Sequence, residues 1–137
     1  MPFPLDLEQV RATERKLGLR LPPAYVARMR VDNGGGVRGG PPGCEDWFWE
    51  LFPILDESSV KRMTRTCNDI IRETRVAKNW ASFPRDAVAI AAADMDKLVF
   101  LPDPDRPGWL SDVVHWWDHE TGRTQPVADD FSQLRRS

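Results

Sequence analysis

Only two cysteines, two histidines and one tyrosine occur in this chain of 137 residues. Cys44 and Cys67 fall in different expected elements and form no CxxC pair, so neither a zinc framework nor a disulfide scaffold is on offer. Reduced, partly buried thiols are the expectation. Long apolar runs are missing as well: the longest, Ala87 to Ala93, falls far short of the roughly 20 residues that cross a bilayer. The start, Met1-Pro2-Phe3-Pro4-Leu5-Asp6, has no basic segment followed by an apolar one, which makes cytoplasmic residence the expectation. A large net charge is also lacking. The formal balance is −2 and the pI about 5.7, which argues against a general nucleic-acid binder. No GxSxG, Walker or HExxH pattern occurs, and the glycines at 34 to 36 do not follow a strand as a dinucleotide fingerprint requires.

What is present suits one soluble domain spanning residues 1–137, with 41% hydrophobic and 29% charged residues. The charge is uneven along it. Residues 1 to 38 carry seven bases and four acids, and residues 57 to 86 repeat that ratio. Residues 94 to 130 reverse it, with nine acids against Lys97, Arg106 and Arg123.

The order of elements points to an α+β fold. Asp6 and Gln9 have capping-box spacing, Leu7, Val10 and Leu17 recur at helical intervals, and Gly18 supplies a left-handed stop, giving a helix over about 6–17. Pro22-Pro23 starts a second helix with Tyr25, Val26 and Met29 as its apolar stripe, ended by Asn33-Gly34-Gly35-Gly36. Residues 44 to 52 read as a strand, with Trp47, Trp49 and Leu51 on one face and Phe48 and Phe52 on the other, hence internal to a sheet. A long third helix is expected over 58–76, with Val60, Met63, Cys67, Ile70, Ile71 and Thr74 inward and its arginines solvated. Residues 87–92 and 97–101 form a hairpin, 113–118 and 123–128 a second, and Asp129 or Asp130 caps a short last helix in which Phe131 and Leu134 dock.

Few groups invite chemistry. His115 and His119 are four apart and share a face if the strand continues, which raises a metal site with Asp118 or Glu120 nearby, although those two then point to the opposite face. Ordinary hairpin positions are the expectation for both, since they diverge if His119 begins the turn. Asp94 and Asp96 have the look of a carboxylate pair for acid–base or magnesium work, but aspartates in tight turns more often bond local amides. Trp109, between Pro107-Gly108 and the next strand, has little in its loop to bury it and is the candidate exposed anchor.

Three segments in order resemble the SUKH superfamily (Smi/Knr type), known from fungal cell-wall-synthesis regulators and bacterial toxin-immunity proteins. They are Glu14 to Gly35, with Glu-x-x-Leu-Gly-x-x-Leu-Pro-x-x-Tyr and then Asn-Gly-Gly; Phe83-Pro84 to Leu101; and Val114 to Gly122 with Val127 to Phe131. The resemblance implies a helix pair and a third helix on a mostly antiparallel twisted sheet. It further implies a non-enzymatic immunity protein that binds a cognate protein toxin in the cytoplasm, needing no cofactor and touching neither nucleic acid nor membrane. A regulatory protein-binding module of the cell-wall type is the alternative, and a metal-dependent hydrolase built on Asp94, Asp96, His115 and His119 the remote one. For the toxin reading, Asp94, Asp96, Asp103, Asp105, Trp109 and Asp112 are the expected contacts, offering acid to a basic toxin surface.

Overall fold

In the computed structural model, which describes residues 2–137, one antiparallel sheet organises the chain. Helix α1 (Leu7–Leu17) and helix α2 (Pro23–Val31) come first, then strands β1 (Gly36–Arg38) and β2 (Phe48–Leu51). Helices α3 (Val60–Arg65) and α4 (Ile70–Ala77) follow. Strands β3 (Val88–Ala93), β4 (Asp96–Phe100), β5 (Val114–Trp117) and β6 (Thr124–Ala128), a 3-10 turn at Phe131–Gln133 and the two-residue strand β7 (Arg135–Arg136) complete it. The sheet order is β6-β5-β4-β3-β2-β1-β7, so the fold is α+β as the element pattern implies.

The hairpins lie where the β-prone runs and turn residues place them. Asp94 and Met95 make a two-residue turn between β3 and β4, with Asp94 at φ 53°, a conformation aspartate tolerates better than most side chains. β2 is internal, flanked by β1 and β3, and turns Trp49 and Leu51 into the core. Trp47 lies outside the strand and stays 44% exposed. Tyr25, fully buried on α2, meets Phe100 and Phe131 edge-on at 5.2 Å each, which ties the helix pair and the C-terminal turn to the sheet.

The structure corrects the capping box, the extent of the third helix and the burial of Cys67. Asp6 occupies the N-cap position without a capping bond, and Gln9 reaches instead to the Glu57 amide, 3.1 Å away. The long helix over 58–76 is two helices. Thr66 ends α3, and Asp69 starts α4 by accepting the amides of Ile71 and Arg72. Only α4 packs on the sheet, burying Ile70, Thr74 and Ala77, whereas α3 buries nothing. Val60 is 77% and Met63 42% exposed, and Cys67 is exposed rather than partly buried. The last helix is a single 3-10 turn, capped by Asp130, with Phe131 and Leu134 docked as expected. Strands β1 and β7 are additional: each is too short for a period of its own and exists through its neighbours, Val37 pairing with both Trp49 and Arg136.

Candidate functional site

Because β4 runs away from the Asp94 turn, its two ends divide the residues chosen from sequence. Asp94 and Asp96 stand at its start, while Asp103, Asp105, Trp109 and Asp112 follow its end. Five strand residues separate the groups by roughly 15 Å. The six make no single patch.

At the start of β4, Asp96 is a hub. Its Oδ2 accepts the indole N–H of Trp116 at 3.0 Å, and its Oδ1 accepts the His119 amide at 3.0 Å and the ring Nδ1–H at 2.6 Å. These bonds cross from β4 to the end of β5 and do not serve the local turn amides. Two aromatic groups are thereby oriented: Trp116 against Trp47 and Trp49, with centroids at 5.4 and 5.2 Å, and His119 edge-on to Trp80 at 5.6 Å. One ligand atom each from Asp96, Asp118 and His119 lies within 4.8 Å of the others. Within the fold, those of Asp96 and His119 are bonded to each other, and Asp118 holds the Glu120 amide at 2.9 Å. His115 belongs elsewhere. It sits within β5, where desolvation holds its imidazole below the ordinary histidine range, and its buried Nδ1 has no partner.

At the other end, Trp109 is half-buried, with the Arg20 guanidinium 4.9 Å and that of Arg106 4.6 Å from its ring. Its loop is pinned to the link between α1 and α2, since the Arg20 amide donates to Gly108 at 2.8 Å and the Leu110 amide to Arg20 at 3.0 Å. Asp103 binds the Asp105 amide and the Arg106 side chain, which hold its carboxyl below the usual range. Asp105 is exposed and Asp112 half-buried. Acid and base are therefore mixed here.

A third region was not expected from the sequence. The Asn33-Gly34-Gly35 turn borders a cleft of about 270 Å³ whose wall includes Phe3, Glu50, Pro53, Arg65 and Asn68. Asn33 builds it: buried, it donates from Nδ2 to the Ile54 carbonyl and accepts the Ile54 amide on Oδ1, both at 2.8 Å. Helix α3 stands beside the cleft with Arg65 at the boundary. Its apolar positions Val60 and Met63 suggest a core-facing stripe, and only the cap at Asp69 hints that this part of the stripe is released to solvent.

Glu14 completes the picture. Buried at the end of α1, it accepts the Leu21 amide at 2.8 Å and pairs with Arg11 at 2.5 Å and Arg20 at 3.3 Å. Asn33 and Asp96 spend their polar atoms joining segments far apart in sequence, and Glu14 spends its own joining α1 to the link that follows it.

One antiparallel sheet, with α2 and α4 tied to neighbouring segments by the buried side chains of Asn33 and Thr74, makes up the α+β frame. The family model described as "SMI1 / KNR4 family (SUKH-1)" matches residues 4–137, and the chain belongs to that family. No curated protein matches the chain, and no solved structure does. Among the described residues, no helix is long and apolar enough to cross a membrane.

Proposed function

We propose that this chain is a non-catalytic immunity protein, which binds a cognate protein toxin in the cytoplasm of the cell that makes it and neutralises that toxin. One observation carries the reading beyond family membership. Three polar residues of the first two marker segments are consumed in holding the fold: Glu14 clasps Leu21, Asn33 clasps Ile54, and Asp96 clasps the end of β5. Residues so engaged are not free to touch a substrate, and they give the loops and helices around them a rigid frame on which to present a binding surface. The surface offered is suited to recognition, with Trp47 and Trp80 partly exposed beside oriented aromatic partners.

The test is co-expression with the product of the adjacent gene. A toxin encoded there should arrest growth alone, be relieved by this chain and co-purify with it. Unrelieved arrest without co-purification refutes the immunity reading, and an adjacent gene for a cell-wall enzyme favours the regulatory module instead.

A further inference from the structure

A helix of six residues that buries none of them gains nothing from the core, and alone it would be marginal in water. Helix α3 is nevertheless held from both ends. Ser59 accepts the Arg62 amide at its start. At its end, Thr66 donates to the Arg62 carbonyl and accepts the Asp56 amide, both at 2.9 Å. Arg62 reaches inward to Asp56 at 3.4 Å and to the Pro4 carbonyl at 3.1 Å. The helix is fixed in place with Val60 and Met63, three residues apart on one face, turned to solvent.

Cations border this stripe. Lys61 and Arg65 lie 5.7 and 5.2 Å from the Phe3 ring, and among the described residues neither forms an ion pair. The nearby acids are occupied: Asp56 by Arg62, Glu57 by Lys16 at 3.3 Å, Asp69 by the α4 amides and Glu73 by Arg72 at 2.6 Å. Arg65 then opens onto the cleft beside Asn33-Gly34-Gly35, whose lining also includes Glu50.

We infer that α3 and the adjoining cleft form a docking surface for an acidic segment of a protein partner. Apolar side chains of that segment cover Val60 and Met63, and its carboxylates meet Lys61 and Arg65. The sign of the partner's charge follows from two unpaired cations in a stretch whose acids are largely engaged. A lipid surface fits less well, because interfacial helices carry a broad Trp, Phe or Leu face and α3 has two aliphatic side chains. The inference rests on the protein-binding reading above, but it places the contact away from the acidic residues at both ends of β4.

Two measurements test it. In the first, the isotope-labelled protein is titrated by NMR with a short leucine–glutamate peptide, with its leucine–lysine analogue, and with phosphatidylserine-containing vesicles. Shifts confined to residues 60–68 and 34–35 with the glutamate peptide alone support the surface; no shifts there, equal shifts with the lysine peptide, or preferential vesicle binding overturn it. In the second, Lys61→Glu combined with Arg65→Glu, and separately Met63→Asp, are assayed against the toxin encoded by the adjacent gene. Each should weaken binding at least about tenfold with an unchanged urea midpoint, while Asp105→Lys does not. If the toxin binds the unaltered chain and these variants equally, the surface is wrong and the immunity reading stands. If the toxin does not bind the unaltered chain at all, the immunity reading falls, and the peptide titration still decides the surface.

Discussion

Asn33 and Ile54 are paired as two strand residues would be, although one partner is a side chain: Nδ2 donates to the Ile54 carbonyl and Oδ1 accepts its amide, both at 2.8 Å. The pair joins the end of α2 to the segment that leads into α3, and it is buried. Asn33→Ala removes both bonds and orphans two backbone groups, for an expected cost of about 2–4 kcal/mol. Asn33→Asp keeps the acceptor but faces a carbonyl with a carboxylate, and should cost at least as much. Urea unfolding of the two variants measures this.

Glu14 makes a graded case. Its carboxylate serves one buried amide, that of Leu21, and two arginines whose side chains remain 40% and 46% exposed. Solvent screens the arginine pairs, so the amide bond and the burial dominate. Glu14→Gln retains an acceptor for Leu21 and should lose about 1–2 kcal/mol, and Glu14→Ala about 2–4 kcal/mol. Equal losses in denaturant unfolding would mean that charge outweighs the hydrogen bond.

Two glycines should differ although neither has positive φ. A Cβ on Gly40 would lie 2.4 Å from the Cys44 carbonyl oxygen, a backbone atom held in its turn. On Gly36 it would lie 2.4 Å from the Phe48 ring, which is partly exposed and free to rotate away. Gly40→Ala is expected to cost about 1–3 kcal/mol and Gly36→Ala less. Thermal unfolding of the pair sets their order.

His115 gives the fold a pH dependence of known sign. Desolvation lowers its pKa in the folded state, so near and below pH 6.5 the unfolded chain binds more protons at this position. Its contribution to stability is complete above pH 6.5 and falls as pH drops toward the folded-state value. In His115→Gln that part of the dependence should disappear, leaving a flatter profile between about pH 5 and 7. Denaturant midpoints across that range, compared between the two proteins, report it. An unaltered profile in the variant would assign the dependence to other groups.

Most of the frame was legible in residue pattern. Gly18, Pro23 and the Asp94 turn act through local backbone chemistry, and the apolar, β-prone runs of β3 and β4 need no tertiary information. The break between α3 and α4 escaped detection because Val60, Met63, Cys67, Ile70 and Thr74 keep helical spacing straight through it. Asn68-Asp69, a natural start signal, was the contrary sign. Strands β1 and β7 could not be read, since three and two residues carry no period and their pairing is a product of the assembled sheet. Charge along the sequence cannot tell that β4 holds Asp94 and Asp112 at opposite ends. Nor can it tell that Trp109 already has two arginine guanidiniums over its ring.

The central claim is that the chain acts by occupying a protein partner and not by turnover. The direct measurement is a titration of the adjacent gene's toxin, at fixed concentration and in its own activity assay, with increasing amounts of this chain. Stoichiometric binding predicts that activity falls linearly to an end point at one chain per toxin, with both proteins recovered chemically intact. Complete inactivation by a small fraction of an equivalent, or a covalently altered toxin, would contradict it.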